Sequence, residues 1–280
     1  MCKGTYEFAG IGKGMVIYMS RIIEAFKNKK AFIGFLTAGD PSLEKTQEYI
    51  LEMEKAGASL IEIGIPFSDP IAEGEVIQAA NVRALSQIGE CTTDKIFDMV
   101  KGVSERVAVP LVFLTYSNPV FKYGYEAFCK KCSESGISGI IIPDMPYEER
   151  KELSTIADGY DVDVISLIAP TSHDRIQMIA QDAKGYIYVV SSMGVTGVRS
   201  EITTDIEEIV KSIREVTDTP IAVGFGISTP EQAKKYADMS DGVIVGSAIV
   251  KIIAEYGNDA GNHIYKYVKT MVDAIENDID

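Results

Sequence analysis

Eight short runs of β-branched and other apolar residues recur along the chain, each followed by a loop and a longer amphipathic stretch. They are AFIGFL (31–36), SLIEIG (59–64), PLVFLTY (110–116), GIIIPD (139–144), VDVISLI (162–168), YIYVV (186–190), PIAVGF (220–225) and GVIVG (242–246). Most are apolar on both faces instead of alternating, as strands of a parallel sheet covered by helices must be. Eight similar units favour closure into an α/β fold of the (β/α)₈ TIM-barrel type, and 280 residues fit that size. The competing fold is an open doubly wound sheet, but no G-x-G-x-x-G turn follows the first run.

The stretches between the runs carry helix ends. Ser42 opens a segment with Leu43, Ile50 and Met53 on one face, and Gly57 closes it. Thr229-Pro230-Glu231-Gln232 combines a capping Thr, a Pro at the first helical position and Gln three residues after the cap. No linker or shift in composition divides the chain, so residues 19–280 are expected to form a single barrel domain. Residues 1–18 read as an atypical N-terminal extension. Ile22, Ile23 and Phe26 form an apolar stripe suited to plugging the barrel bottom.

Asp and Glu number 41 against 27 Lys and Arg, a formal charge of −14, which argues against nucleic-acid binding. The same excess repels an anionic substrate unless backbone N–H groups, helix ends or a few placed cations supply local positive potential. There is no apolar stretch of membrane-spanning length and no secretion signal, so a cytoplasmic setting is expected. Cys129 and Cys132 form a lone C-x-x-C at helical spacing and read as ordinary helix thiols. With only two histidines, His173 and His263, in unclustered positions, no metal site is expected.

Glu62 is the most informative residue: a carboxylate inside the otherwise apolar LIEIGIP. A charge there is costly unless paired or used, and desolvation raises its pKa toward the range of a general acid or base near neutrality. A structural ion pair at the strand end is the alternative. Glu73 lies eleven residues on, in the polar loop PFSDPIAEGE. Two carboxylates in different environments can divide acid–base work from charge stabilisation, although a loop Glu is as easily a solvated one. Asp69 is explained by a local turn contact.

Gly224 and Gly226 follow the seventh run, and Gly246 and Ser247 the eighth. Barrels often cradle phosphate at these two loops with the N-terminus of a short extra helix, and glycine lets backbone N–H groups come close. Tight turns that need glycine are the alternative. Gly194 and Gly197 make SSMGVTGVRSEI a pliable loop, where Thr196 is placed to meet a catalytic carboxylate on closure. Tyr116 and Tyr188 lie at strand ends, suited either to an aromatic ligand or to an ordinary rim role. Phe35 and Leu114 read as apolar walls.

Together, GFLTAGDPS, IEIGIPFSDPIAEG, SSMGVTGVRSE, GFGIST and GSAIVKII resemble the alpha-chain family of tryptophan synthase, in the family's order and from about Met19 through the last barrel helix. The resemblance implies a carbon–carbon lyase of tryptophan biosynthesis, performing retro-aldol cleavage of indole-3-glycerol phosphate to indole and glyceraldehyde 3-phosphate. It implies Glu62 as the principal acid–base carboxylate and Glu73 as the second catalytic one, at a position where well-known members carry Asp. It further implies Phe35, Leu114, Tyr116, Tyr188 and Thr196 at the substrate pocket, with Gly197, Gly226, Gly246 and Ser247 at the phosphate. Thr37 and Asn118 are expected at the rim.

The family pattern also implies a partner, a pyridoxal-phosphate-dependent beta chain in an alpha2-beta2 complex that receives indole through a tunnel. This chain itself is expected to carry no cofactor. Loops 66–75 and 194–200 are implied near the contact, where Glu75 stands in place of a common Pro. A free-standing indole-3-glycerol-phosphate lyase, a phosphosugar isomerase and a non-catalytic regulatory subunit are the alternative readings.

Overall fold

The computed structural model describes residues 20–86, 89–190, 202–224 and 226–276. Its strands are β1 (Ala31–Thr37), β2 (Leu60–Gly64), β3 (Leu111–Leu114), β4 (Ile137–Ile141), β5 (Asp163–Val164), β6 (Ser166–Ile168), β7 (Ile187–Val190), β8 (Ile221–Gly224) and β9 (Gly242–Val245). Every pairing is parallel, in the order β5-β4-β3-β2-β1-β9-β8-β7-β6. The two ends of that order are consecutive pieces of one apolar run. β5 pairs with β4 and β6 with β7, while the Ile165 N–H between them donates to the Ile140 carbonyl at 2.9 Å. The ring therefore closes through Ile165, and the architecture is the expected (β/α)₈ barrel.

One difference from the sequence reading is the fifth strand, which is two short pieces because it changes neighbour half-way. Apolar periodicity reports which face is buried and carries no mark of such a handover. The third strand is also shorter than its apolar run. Tyr116 leaves the sheet to precede the helix Ser117–Tyr123.

Alternation along the strands separates two apolar layers. Ala31, Ile33, Leu60, Val112, Ile141, Ile165, Ala222 and Ile244 face the barrel interior in one buried cluster. Their sequence neighbours Phe32, Ile61, Phe113, Ile140 and Val243 face the surrounding helices in another. Because both faces are covered, the runs lack the polar alternation of a half-exposed strand. The helix Leu43–Lys55 starts at Ser42, whose hydroxyl accepts from the Lys45 N–H, and buries Ile50 and Met53. The helix Pro230–Met239 begins with the full capping box of Thr229 and Gln232.

The expected plug is present as a single helical turn, Arg21–Glu24. Ile22 is fully buried in the interior cluster, where it contributes about 1.5–3 kcal/mol by burial. Ser20 fixes the turn twice: its hydroxyl donates to Asp163 at the foot of β5 and accepts from the Ile22 N–H. Phe26 follows, its ring 5.7 Å from that of Tyr186. The barrel bottom is thus sealed by a segment that also supports the tyrosine nearest Glu62.

Cys129 and Cys132 lie buried on the helix Tyr125–Ser135, and burial pushes both thiols up, as suits packing residues. Among the described residues there is no cluster of potential metal ligands and no helix long and apolar enough to cross a membrane.

Candidate active site

Glu62 sits in the middle of β2 and points into the barrel, only 1% exposed. Its strand register places it beside Phe35 of β1 and Val112 of β3, so its immediate neighbours across the sheet are apolar. Its polar partner is the Tyr186 hydroxyl, which donates to Oε1 at 2.5 Å. Burial pushes the carboxyl up to about 7, against the opposing pull of this hydrogen bond. Near neutrality Glu62 is therefore divided between its two protonation states, the condition a group needs to both give and take a proton. The strand-end ion pair is not what the structure contains.

Tyr186 is a site residue that the sequence reading missed in favour of Tyr188. The signal was available, since residues two apart in YIYVV share a face. Tyr188 is the next inward residue and partly buried, and the Glu62 charge and burial both raise its pKa. Its hydroxyl end fills the space over Gly224, where an added Cβ would lie 2.5 Å from the Tyr188 Oη. Glycine at the end of β8 is thus what lets this ring reach across the mouth.

Phe35 and Leu114, read from the sequence as apolar walls, belong to one small apolar cluster with Val76, Ile77, Ala80 and Val250. The Phe35 ring leaves no room for a side chain at Gly64, where an added Cβ would stand 2.7 Å from it, and crowds Gly246, where the distance would be 3.1 Å. Gly246 directly precedes the helix Ser247–Tyr256, a short helix inserted before the last one, Gly261–Glu276. Ser247 therefore occupies the first turn of an extra helix, where free backbone N–H groups favour an anion. Gly226 has φ +77, a backbone setting that favours glycine, and nothing lies within 4 Å of a Cβ built there.

Glu73 ends the loop after β2 and is half-buried rather than solvated. Asn81, itself only 4% exposed on the helix Glu75–Ser86, donates from Nδ2 to Glu73 Oε2 at 2.6 Å. Tyr116 is a second hydrogen-bond donor to this carboxylate, and its oxygen also accepts the Ala72 N–H at 3.3 Å. Burial raises the Glu73 pKa while these two donors hold it down. The helix carrying Asn81 is tied to the loop after β1 by Arg83, which grips both oxygens of the buried Asp40 at 2.9 and 2.7 Å. Asn81 and Arg83 are further residues that the sequence did not single out.

Thr37, expected at the rim, is fully buried, and its hydroxyl has no protein partner. Asn118 is exposed, as a rim residue should be. Thr196 and Gly197 lie outside the described residues. The described candidates lie on the strands or in the loops that follow their C-terminal ends, the end at which barrels of this type carry their active sites.

A family model described as "Tryptophan synthase alpha chain" matches residues 23–279. The chain belongs to that family. Tryptophan synthase alpha chains of Lacticaseibacillus casei and of a Thermoanaerobacter species are 48% and 46% identical to it. Each alignment covers 92% of this chain, with 96% and 99% of the relative. Among solved structures, an Aquifex aeolicus protein superposes with a TM-score of 0.84 at 33% identity, covering 92% of this chain and all of that one. A chain from the tryptophan synthase α2β2 complex of Pyrococcus furiosus superposes with a TM-score of 0.80 at 35% identity, covering 87% and 98%. The reaction is accordingly the cleavage of indole-3-glycerol phosphate by a tryptophan synthase alpha subunit, and the enzyme is a carbon–carbon lyase.

Proposed function

We propose that Glu62 and Glu73 divide the retro-aldol chemistry between them. Glu62 carries the proton traffic: it protonates the indole carbon at which the side chain is attached and takes the proton of the adjacent glycerol hydroxyl. The carbon–carbon bond then breaks, its electron pair stays with the indole, and the hydroxyl carbon becomes the aldehyde of glyceraldehyde 3-phosphate. Atoms balance without water or a redox partner. Glu73, whose ionised form Asn81 and Tyr116 favour against the larger upward pull of burial, faces the positive charge that develops at the indole nitrogen. Phe35, Leu114, Tyr116 and Tyr188 bound the indole, and the backbone at Gly226, Gly246 and Ser247, with Gly197, holds the phosphate. Thr196 meets Glu73 when its loop closes.

The observation that carries this reading is the Glu62 carboxylate buried inside the barrel, raised to about 7 and flanked in register by Phe35. A beta chain bearing pyridoxal phosphate completes the assembly as α2β2 and receives the indole. Ile71 in the loop after β2 and Phe121 after β3 are 78% and 71% exposed, apolar surface at the same end of the barrel that a partner would cover.

The test is indole release from indole-3-glycerol phosphate by wild type and Glu62→Gln, with and without a related beta chain. The wild type is expected to respond strongly to the beta chain, and the folded Gln variant to lose activity by at least about a hundredfold. Wild-type turnover by E62Q would remove Glu62 from the chemistry, and high activity indifferent to the beta chain would favour a free-standing lyase.

A further inference from the structure

The handover in the fifth strand leaves a split in the barrel wall. Up to Ile165 this strand pairs with β4, and from Ser166 onward it pairs with β7. β4 ends at Ile141, and the chain continues past it through Ile142 and Pro143. A cavity of about 330 Å³ fills the split, bounded by Ile142, Ile165 and Leu167 from the wall and by Arg150 and Ile179 from the covering helices. Neither Glu62, Glu73 nor Gly246 lines it.

Its charge runs against that of the molecule. In a chain of net charge −14, no Asp or Glu among the described residues lines this cavity, whereas Arg150 and Arg175 both do. Arg175 is matched by Glu148, which it grips at 2.7 and 3.2 Å. Among the described residues, Arg150 has no carboxylate in hydrogen-bond contact. It donates to the Ser166 hydroxyl and to the Asp182 carbonyl, and it lies 4.6 Å over the Tyr147 ring. The Asp182 carboxylate nearby accepts the Tyr147 hydroxyl at 2.5 Å. Arg150 is thus a half-buried guanidinium, fixed by stacking and by neutral acceptors, with N–H groups left over. The nearby Asp182 carboxylate acts on it only through space, so its unused N–H donors could engage a bound carboxylate with two parallel hydrogen bonds.

We propose that this wall split is a binding site for a small organic carboxylate, its anionic group on Arg150 and its apolar body between Ile142, Leu167 and Ile179. The volume lies at the low end of small-molecule sites, which suits one or two fused rings. Ile165 and Leu167 also pack against the interior cluster that contains Tyr186 and Tyr188, so an occupant rests on the far side of the layer that positions Glu62.

The test titrates the full-length protein with 1-naphthoate and with its uncharged isostere 1-naphthamide, by calorimetry, for wild type, Arg150→Gln and Ile179→Trp. Naphthoate is expected to bind wild type at least tenfold more tightly than the amide does. R150Q should lose that advantage, and I179W, which fills the cavity and keeps the charge, should lose binding of both. Indole-3-glycerol phosphate cleavage by R150Q in the absence of naphthoate should stay within twofold of wild type. Absence of naphthoate binding at millimolar concentration, equal binding by wild type and I179W, or displacement of naphthoate by glycerol 3-phosphate would each overturn the proposal. If R150Q does not fold, I179W decides alone.

Discussion

Glu62 makes stability depend on pH in a way that can be isolated from every other group. Its folded pKa is about 7 against an ordinary value of 4.5. Between those values the folded state holds a proton that the unfolded chain has released, so this carboxyl's contribution falls as pH rises through the window. Below pH 4.5 both states are protonated and nothing is lost, whereas above about 7 the whole cost of a buried charge is present. A separation of roughly 2.5 units corresponds to about 3.4 kcal/mol in full, of which about 2.5 kcal/mol develops between pH 5 and pH 8. Glu62→Gln keeps the shape and an acceptor for Tyr186 but cannot ionise. The assay is urea unfolding of wild type and E62Q at pH 5, 6, 7 and 8. Titration of all other groups cancels in the difference between the two proteins. E62Q should gain about 2.5 kcal/mol relative to wild type across this range, and a difference that stays flat within 0.5 kcal/mol would show that Glu62 titrates normally.

Tyr186→Phe removes the donor that opposes burial at Glu62. A hydrogen bond to a charged group contributes about 1.5–3 kcal/mol, so the ionisation of Glu62, followed in the pH profile of kcat/KM, should move up by about one to two units. An unmoved profile would mean that the hydroxyl does not bear on the ionised carboxylate. Asn81→Ala should leave KM nearly unchanged and lower kcat by about tenfold, because Glu73 loses the donor that fixes it at 2.6 Å. Steady-state cleavage assays at saturating beta chain check this, and unaltered kcat would refute the positioning role. Arg83→Ala leaves Asp40 buried and unpaired and should cost about 3 kcal/mol in urea unfolding; a loss below about 0.5 kcal/mol would mean the pair stabilises nothing.

How far the sequence could be read depended on whether a residue's role is local. Glu62 stood out because a single carboxylate interrupts an apolar run, and burial then raises its pKa without reference to distant contacts. The barrel was legible for a related reason: a strand buried on both faces needs no knowledge of its neighbours to be recognised. The partner switch at Ile165 and the departure of Tyr116 from the sheet were not, since both are decided by what lies beside the chain. Asn81 illustrates the same limit. On the sequence it is a polar residue of an amphipathic helix, and only the turn of the loop after β2 brings Glu73 onto it. Tyr186 was legible and overlooked, because period-two spacing puts it on the same face as Tyr188 and one layer deeper, level with Glu62.

The acidic balance of the chain and the protonation of Glu62 are two sides of one requirement. A Lys or Arg at the barrel mouth would offer the simplest hold on a phosphate, but its field would also favour the ionised form of a carboxyl a few ångströms away. Among the described residues the influences on Glu62 are burial and one neutral hydroxyl, with no cation among them. On the reading proposed above, phosphate held by backbone N–H groups at Gly246 and Ser247 and the dipole of a short helix would confine the attraction to the helix end. The proton on Glu62 is then preserved while the anion is bound. The negative charge of the phosphate acts in the same direction, raising the carboxyl's pKa when substrate arrives and making it a better-populated acid at the moment the indole ring must be protonated.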